Sequence, residues 1–238
     1  MMKKTKFEKI LYYVTLITLI LSIIFVIARI ITAPSSSEDP TIRVKSSYTL
    51  MLVQCILGVL ALHLPDIIER RIKRDVPSPM VIIYIIFLYC AIYLGEVRNF
   101  YYTVANWDDI LHTISGAMLG SLGFSIITLL NNTEKIPLDL SPLFVALFAL
   151  CFAVTMGVFW EFYEYSFDGL LGLNMQKFML EDGTELVGRM ALNDTMTDLF
   201  VDSVGAFIIS VLGGLSLKYK TKLINMFHFR RFKKGEEK

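Results

Sequence analysis

VANWDDILHTISGAMLG, residues 104–120, places two aspartates and a histidine at the head of a glycine-dotted apolar run. At helical spacing Asp108, His112, Gly116 and Gly120 fall on one face, acidic at its start and small along its length. The run continues from Ile110 to Leu130, reaching the ~20 residues that carry a helix across ~30 Å of hydrocarbon. Five more such runs flank it, at about Ile10–Ala33, Ser47–Leu64, Met80–Leu94, Leu143–Phe162 and Thr195–Leu217. Composition agrees: the 238 residues are 55% hydrophobic with a mean hydropathy of +0.57, above a soluble domain of this size. Backbone groups in lipid must be satisfied within the segment, so the spans are helices. The expected fold is an all-α membrane protein, a six-transmembrane-helix bundle. It reads as one integral membrane domain over 1–238, with scaffold helices in 1–98, helices carrying a polar cluster in 99–217, and a basic tail in 218–238.

The first run follows a basic start (Lys3, Lys4, Lys6, Lys9) but exceeds an h-region of ~7–15 residues and ends at no A-x-A site, which reads as a retained signal anchor. A net charge of +1 gives no footprint for nucleic acid. Cys55, Cys90 and Cys151 fall on three different runs without C-x-x-C spacing, and read as buried spectators ahead of a disulfide or metal site.

Lysine and arginine set the orientation. The N-terminus, the loop with Arg70, Arg71, Lys73 and Arg74, and the tail with Lys218, Lys220, Lys222, Arg230, Arg231, Lys233 and Lys234 share one side of a six-helix bundle. That side is expected to be the cytoplasm, with both termini in it. The loop with Lys135 is neutral in this respect. Three polar stretches then meet at the outer face: NWDDILH (106–112), FWEFYEY (159–165) and LNDTMTDLFVDSVGA (192–206).

Capping accounts for part of this layer. Asn106 can cap the fourth helix with Asp108 and Asp109 in its first turn, and Asn193 or Asp194 can serve the sixth. Capping does not account for His112, for Asp198 and Asp202 one and two turns below Asp194, or for Glu161 and Glu164 at the expected C-terminal end of the fifth helix. A carboxylate at the bilayer centre costs ~2.5–3.5 kcal/mol on insertion scales. Nearby bases are few: Arg98, Lys177, Arg189 and His112. Either several carboxylates are protonated, or a cation sits among them. Carboxylates with one imidazole suit Mn²⁺, Fe²⁺ or Zn²⁺, and carboxylates alone suit Mg²⁺ or Ca²⁺. The alternative is a hydrogen-bonded structural or proton-binding network.

Small residues extend the faces inward: Ala206, Ser210 and Gly214 below Asp202, and Gly157 before Glu161. They let three helices pack closely beneath the cluster and leave it open outward. The inner halves carry no charge, which weighs against a channel or pump. The first three helices read as scaffold, with Gln54 isolated, His63 paired with Asp66, and Glu96 and Arg98 close to the outer layer. Tyr101, Tyr102, Trp107, Trp160, Tyr163 and Tyr165 read as an aromatic belt. The loop Ser166–Asn193 holds FDGLLGLNM, apolar enough to lie on the membrane, and an Asp182–Gly183 turn suited to a short hairpin. It is either a lid over the cavity or a plain exposed loop.

These clusters resemble those of a YjdF-like family of uncharacterised bacterial multi-pass membrane proteins. The matching residues are Asp108 and His112; Trp160, Glu161 and Glu164; and Asp194, Thr195, Asp198, Gly205 and Ala206. The resemblance covers about residues 100–208 and implies a shared membrane fold without an established activity. Asp109 and Asp202 lie outside the pattern, and GRMALND (188–194) replaces its glycine-rich G-T-Q-G-D lead. A weaker similarity is to VanZ-like membrane proteins.

The expected function is that of a bacterial cell-membrane protein with a divalent-metal site formed by Asp108, His112, Glu161 and Asp198. Such a site would support hydrolysis or transfer on an outer-leaflet lipid or envelope substrate, with Glu164 or Asp202 as the base. The alternatives are a cation transporter or sensor on the same ligands, and a structural membrane protein. Ser–His–Asp order, a P-loop, G-x-G-x-x-G and H-E-x-x-H do not occur.

Overall fold

A computed structural model describes residues 5–36, 43–131, 139–180 and 184–221, and the backbone of a two-residue strand at 230–231. Within them, six helical spans are long and apolar enough to cross a membrane. The first is α1 (Lys6–Thr32), opened by a capping box in which Thr5 and Glu8 satisfy each other's backbone amides. The second bends. α2 (Lys45–Ala61) stops before Leu62 and His63, and α3 (Leu64–Ile72) continues the span with Pro65 in its first turn, where a missing amide hydrogen costs nothing. The third is α4 (Ser78–Leu88), which widens into a nine-residue π-helix, Tyr89–Val97. A one-turn helix, α5 (Phe100–Thr103), leads to α6 (Trp107–Asn131), the fourth span. α7 (Pro142–Leu171) and α8 (Asn193–Tyr219) complete the set.

The helices pack as two groups. α1 lies on α2 and α4, with Leu62, Val76, Val81, Ile85 and Leu88 in one apolar core. α6, α7 and α8 pack on one another around Phe124, Ile127, Val145 and Ala149. Large apolar side chains such as Leu21, Phe162, Phe200 and Phe207 are exposed around the bundle, on surfaces suited to lipid. Arg74–Asp75 (β1) pairs antiparallel with Arg230–Arg231 (β2), which brings the basic loop and the basic tail to one end, as the charge pattern requires.

Small residues decide how closely α6, α7 and α8 approach. A Cβ on Gly116 would overlap the Asp202 carbonyl, and one on Gly205 would overlap the Thr113 carbonyl. α6 and α8 therefore cross backbone to backbone at the depth of the polar residues. Gly157 of α7 faces the Asp202 carboxylate, 3.1 Å from where a Cβ would stand.

Several expectations need correction. α7 does not end near Phe162; it runs to Leu171 and is closed by Gly172 at φ 64°. Glu161 and Glu164 are thus interior residues, and Phe167–Leu171 is helix rather than a membrane-lying loop. Asn106 has φ 57°, not the extended backbone of an N-cap. Leu192, without a side-chain cap, precedes α8, so Asn193 and Asp194 lie inside the helix. His63 bonds the Tyr12 hydroxyl at 3.0 Å and the Val59 carbonyl at 2.8 Å, which leaves neither ring nitrogen for Asp66. Gln54 is not isolated; its amide donates to Glu96 at 3.0 Å. The three cysteines are free, but only Cys55 is buried, and Cys151 is exposed. Lys135 and the Asp182–Gly183 turn lie outside the described residues; the flanks of that turn do pair, through a bridge between Met179 and Glu185.

Candidate metal centre

The site begins with the backbone crossing of α6 and α8. That contact sets Asp198 and Asp202, one turn apart on α8, against His112 of α6. His112 Nδ1 lies 3.2 Å from Asp202 Oδ2. A carboxylate accepts, so Nδ1 is the donor and the bond selects the tautomer in which Nε2 is free. Nε2 faces the other way, 3.7 Å from Asp108 Oδ1 and 3.8 Å from Asp198 Oδ2. Asp108, His112 and Asp198 each offer one donor atom, all within 4.8 Å of one another.

Those distances fit a cation. Donors about 2.0–2.2 Å from one ion stand roughly 3–3.5 Å apart, so closure needs the side chains to draw together by up to about 1 Å. The burial fits as well. Asp198 is 1% exposed, and neither of its carboxylate oxygens has a hydrogen-bond partner among the described residues. An unsatisfied buried carboxylate is costly, and an ion or a proton removes that cost. The histidine with an acid behind it has the form of a metal ligand whose second nitrogen is oriented by a carboxylate.

The other expected residues surround this group. Glu161 is buried on α7 and accepts from Gln176 Nε2 at 3.1 Å; it is not in the three-residue donor group. Glu164, 6% exposed, accepts from Trp160 Nε1 at 2.8 Å through one oxygen, while Oε2 has no partner among the described residues. The Trp160 ring, read as part of an aromatic belt, thus orients a carboxylate. Asp194 does not cap; with Asp108 it grips the Lys177 ammonium, at 2.9 Å from Asp194. Burial pulls the Lys177 pKa down, but the two carboxylates outweigh it and the pKa is raised. Arg98 and Arg189 are exposed and make no ion pair among the described residues. Asp109 stays at the rim, half-buried.

Three residues were missed by sequence reasoning. Asp168 is buried and receives the amides of Met175 and Gln176 at 2.8 and 3.0 Å, which ties the loop after α7 to the helix. Gln176 bridges Glu161 and the Thr195 hydroxyl, the latter at 2.9 Å. Tyr101 reads as belt but points inward, its ring against Gly95 of the π-helix. Burial, then the carboxylates of Glu96, Asp108, Glu164 and Asp198, hold its phenol well above the usual range, so it stays a donor. The spacing Glu161, Glu164, Asp168 would have signalled the first; the other two depend on long-range packing.

The model of a family described as predicted membrane protein (DUF2238) covers residues 10–219. The chain belongs to the DUF2238 family. This DUF2238 protein is 25% identical over 150 residues to an uncharacterized protein of Thermotoga maritima, covering 61% of this chain and 67% of that protein. No solved structure matches it.

Proposed function

We propose that this protein is a bacterial cell-membrane protein, with both termini cytoplasmic, that holds a divalent metal at its outer face and acts on an outer-leaflet or envelope substrate. The observation that carries the reading is Asp198: buried, with both oxygens unsatisfied, beside a histidine turned by Asp202. Asp108, His112 and Asp198 would hold the ion, and Glu161, buried on α7, would complete the shell. Bound there, a metal would lower the pKa of a water or polarise a phosphoryl group. Glu164 is the base in this reading, because one of its oxygens has no hydrogen-bond partner among the described residues. Asp202, the other expected base, is occupied with orienting His112. The loop carrying Gln176 and Lys177 is the lid. Residues 1–98 serve as scaffold and 99–217 as the working half, in line with the YjdF-like clusters at Asp108–His112, Glu161–Glu164 and Asp194–Asp198.

The inner half of α6 favours an enzyme over a transporter. Ser121 and Thr128 bond the carbonyls of Ala117 and Phe124 on their own helix instead of facing a polar route. The test is phosphate release from lipid phosphomonoesters by protein in nanodiscs, with Mn²⁺, Zn²⁺ or Mg²⁺ added. Metal-dependent release lost in Glu164→Gln supports the reading. Metal uptake into vesicles, lost in Asp198→Asn, would replace it with transport. A second reading rests on the three carboxylates within 3.8 Å of His112, which form an ion-pair network if the imidazole is charged. In that case Asp198→Asn changes stability, and no metal is retained.

A further inference from the structure

Between the two helix groups lies a cavity of 1660 Å³, larger than the ~300–1,000 Å³ of pockets for drug-sized ligands. Its wall includes both Asp108 and Leu122 of α6, fourteen residues and about 21 Å apart on one helix. That length is most of the ~30 Å hydrocarbon thickness. Along it the lining is apolar: Leu57, Ile83, Phe87, Ile114, Met118 and Leu122. All six belong to helices long and apolar enough to cross a membrane, and a wall of this kind suits an acyl chain.

The Asp108 end of the cavity is polar, and its free atoms are of one kind. Glu164 Oε2 and Gln54 Oε1 both line it, are buried, and have no hydrogen-bond partner among the described residues. Both accept. Glu96 and Glu164 are the lining carboxylates without a cation within salt-bridge distance among the described residues: Lys177 is taken by Asp108 and Asp194, and Arg43 donates to the Glu96 main-chain carbonyl and to Asn99 instead of the Glu96 carboxylate. Tyr101 also lines the cavity. The π-helix matters here, because its wider turn presents Glu96 to Gln54 across the gap, and such segments mark functional sites.

We propose that this cavity binds a membrane lipid with a primary ammonium head, of the phosphatidylethanolamine kind, its chains along the apolar wall and its –NH₃⁺ between Glu164, Glu96 and Gln54. Unsatisfied acceptors call for N–H donors as well as positive charge, and a primary ammonium supplies three where a quaternary one supplies none. The proposal goes beyond the metal reading and requires no bound metal, although Asp108, His112 and Glu164 of that site also line the cavity; Asp198 is not among the described residues that do.

The test is lipid retention by the full chain in mild detergent, read by native mass spectrometry, with dioleoyl phosphatidylethanolamine, its N-monomethyl and N,N-dimethyl forms, phosphatidylcholine and phosphatidylglycerol offered at equal concentration. Retention by the wild type is expected to fall along the methylation series, by about ten-fold from the primary to the quaternary head, the size of a charged hydrogen bond. Glu164→Gln and Glu96→Gln should flatten the series, and Asp198→Asn should leave it intact even if metal is lost. Equal retention of all heads by wild type, or a preference for phosphatidylglycerol, overturns the proposal without recourse to any variant. So does a series that survives in the folded Glu96→Gln, Glu164→Gln double variant.

Discussion

His112 is committed through both ring nitrogens. Nδ1 is bound to Asp202 at 3.2 Å, and Nε2 stands between Asp108 and Asp198. Asp202→Asn keeps the shape but can present an amide in place of the acceptor, so the tautomer is no longer enforced. Metal affinity, measured by calorimetric titration, should fall about 10–100-fold, as for other residues that orient a ligand from behind. Direct loss of the ligand in Asp198→Asn should cost more. Lys177 makes a pH prediction. Its pKa is raised in the folded state by Asp108 and Asp194, so the stability it contributes is complete below the unfolded lysine value of about 10.4. That stability disappears only as pH rises through the higher folded value. The difference in thermal midpoint between wild type and Lys177→Met should therefore be constant from pH 7 to about 9 and shrink only in stronger alkali. A difference that vanished near neutrality would mean that the ion pairs do not stabilise the fold.

At the scale of elements, the crossing of α6 and α8 positions everything else. Gly116→Ala and Gly205→Ala each set a methyl against a backbone carbonyl of the other helix, which cannot move as a side chain can. Each should destabilise by about 1–3 kcal/mol and separate His112 from Asp202. Gly169→Ala is the control: a Cβ there meets nothing within 4 Å, so it should stabilise α7 by about 0.5–1 kcal/mol. Thermal unfolding in detergent distinguishes the two outcomes. The spacing of glycines on these faces was legible in the sequence, as were the six spans and the nearness of Asp108, Asp198 and Asp202 to His112. The end of α7 was not, because Asp168 and Gly169 in FDGLL read as a break in the apolar run, yet the helix continues through them to Leu171 and closes at Gly172. The π-helix and the bend at His63 were hidden for another reason: apolar periodicity reports burial, not the width of a turn. Capping chemistry was over-read at Asn193 and Asp194, where the competing partner, Lys177, is distant from Asp108 in the chain and local rules do not reach it.

In the whole molecule, two helix groups enclose a lipid-depth cavity, and the basic ends gather where β1 meets β2. The pairing of Arg74–Asp75 with Arg230–Arg231 puts the second loop and the tail on one side, while the loop with Gln176 and Lys177 closes the opposite end. A membrane-impermeant maleimide applied to intact cells should therefore label a cysteine placed at Val187 and spare one placed at Thr221, in a background without native cysteines. Labelling of Thr221→Cys alone would invert the orientation and put the acidic cluster in the cytoplasm. The long pairings, such as Gln54 with Glu96 and Asp108 with Lys177, were beyond sequence reading because they join separate spans, and these pairs shape the cavity's polar end. The most direct measurement of the metal centre is metal content by mass spectrometry, on protein purified without chelator beside His112→Ala and Asp198→Asn. The metal-site reading requires a near-stoichiometric divalent ion in wild type that is lost from both variants. A well-folded wild type that holds no metal after exposure to Mn²⁺, Zn²⁺ and Mg²⁺ would contradict it and leave His112 and its three aspartates as a buried ion-pair network.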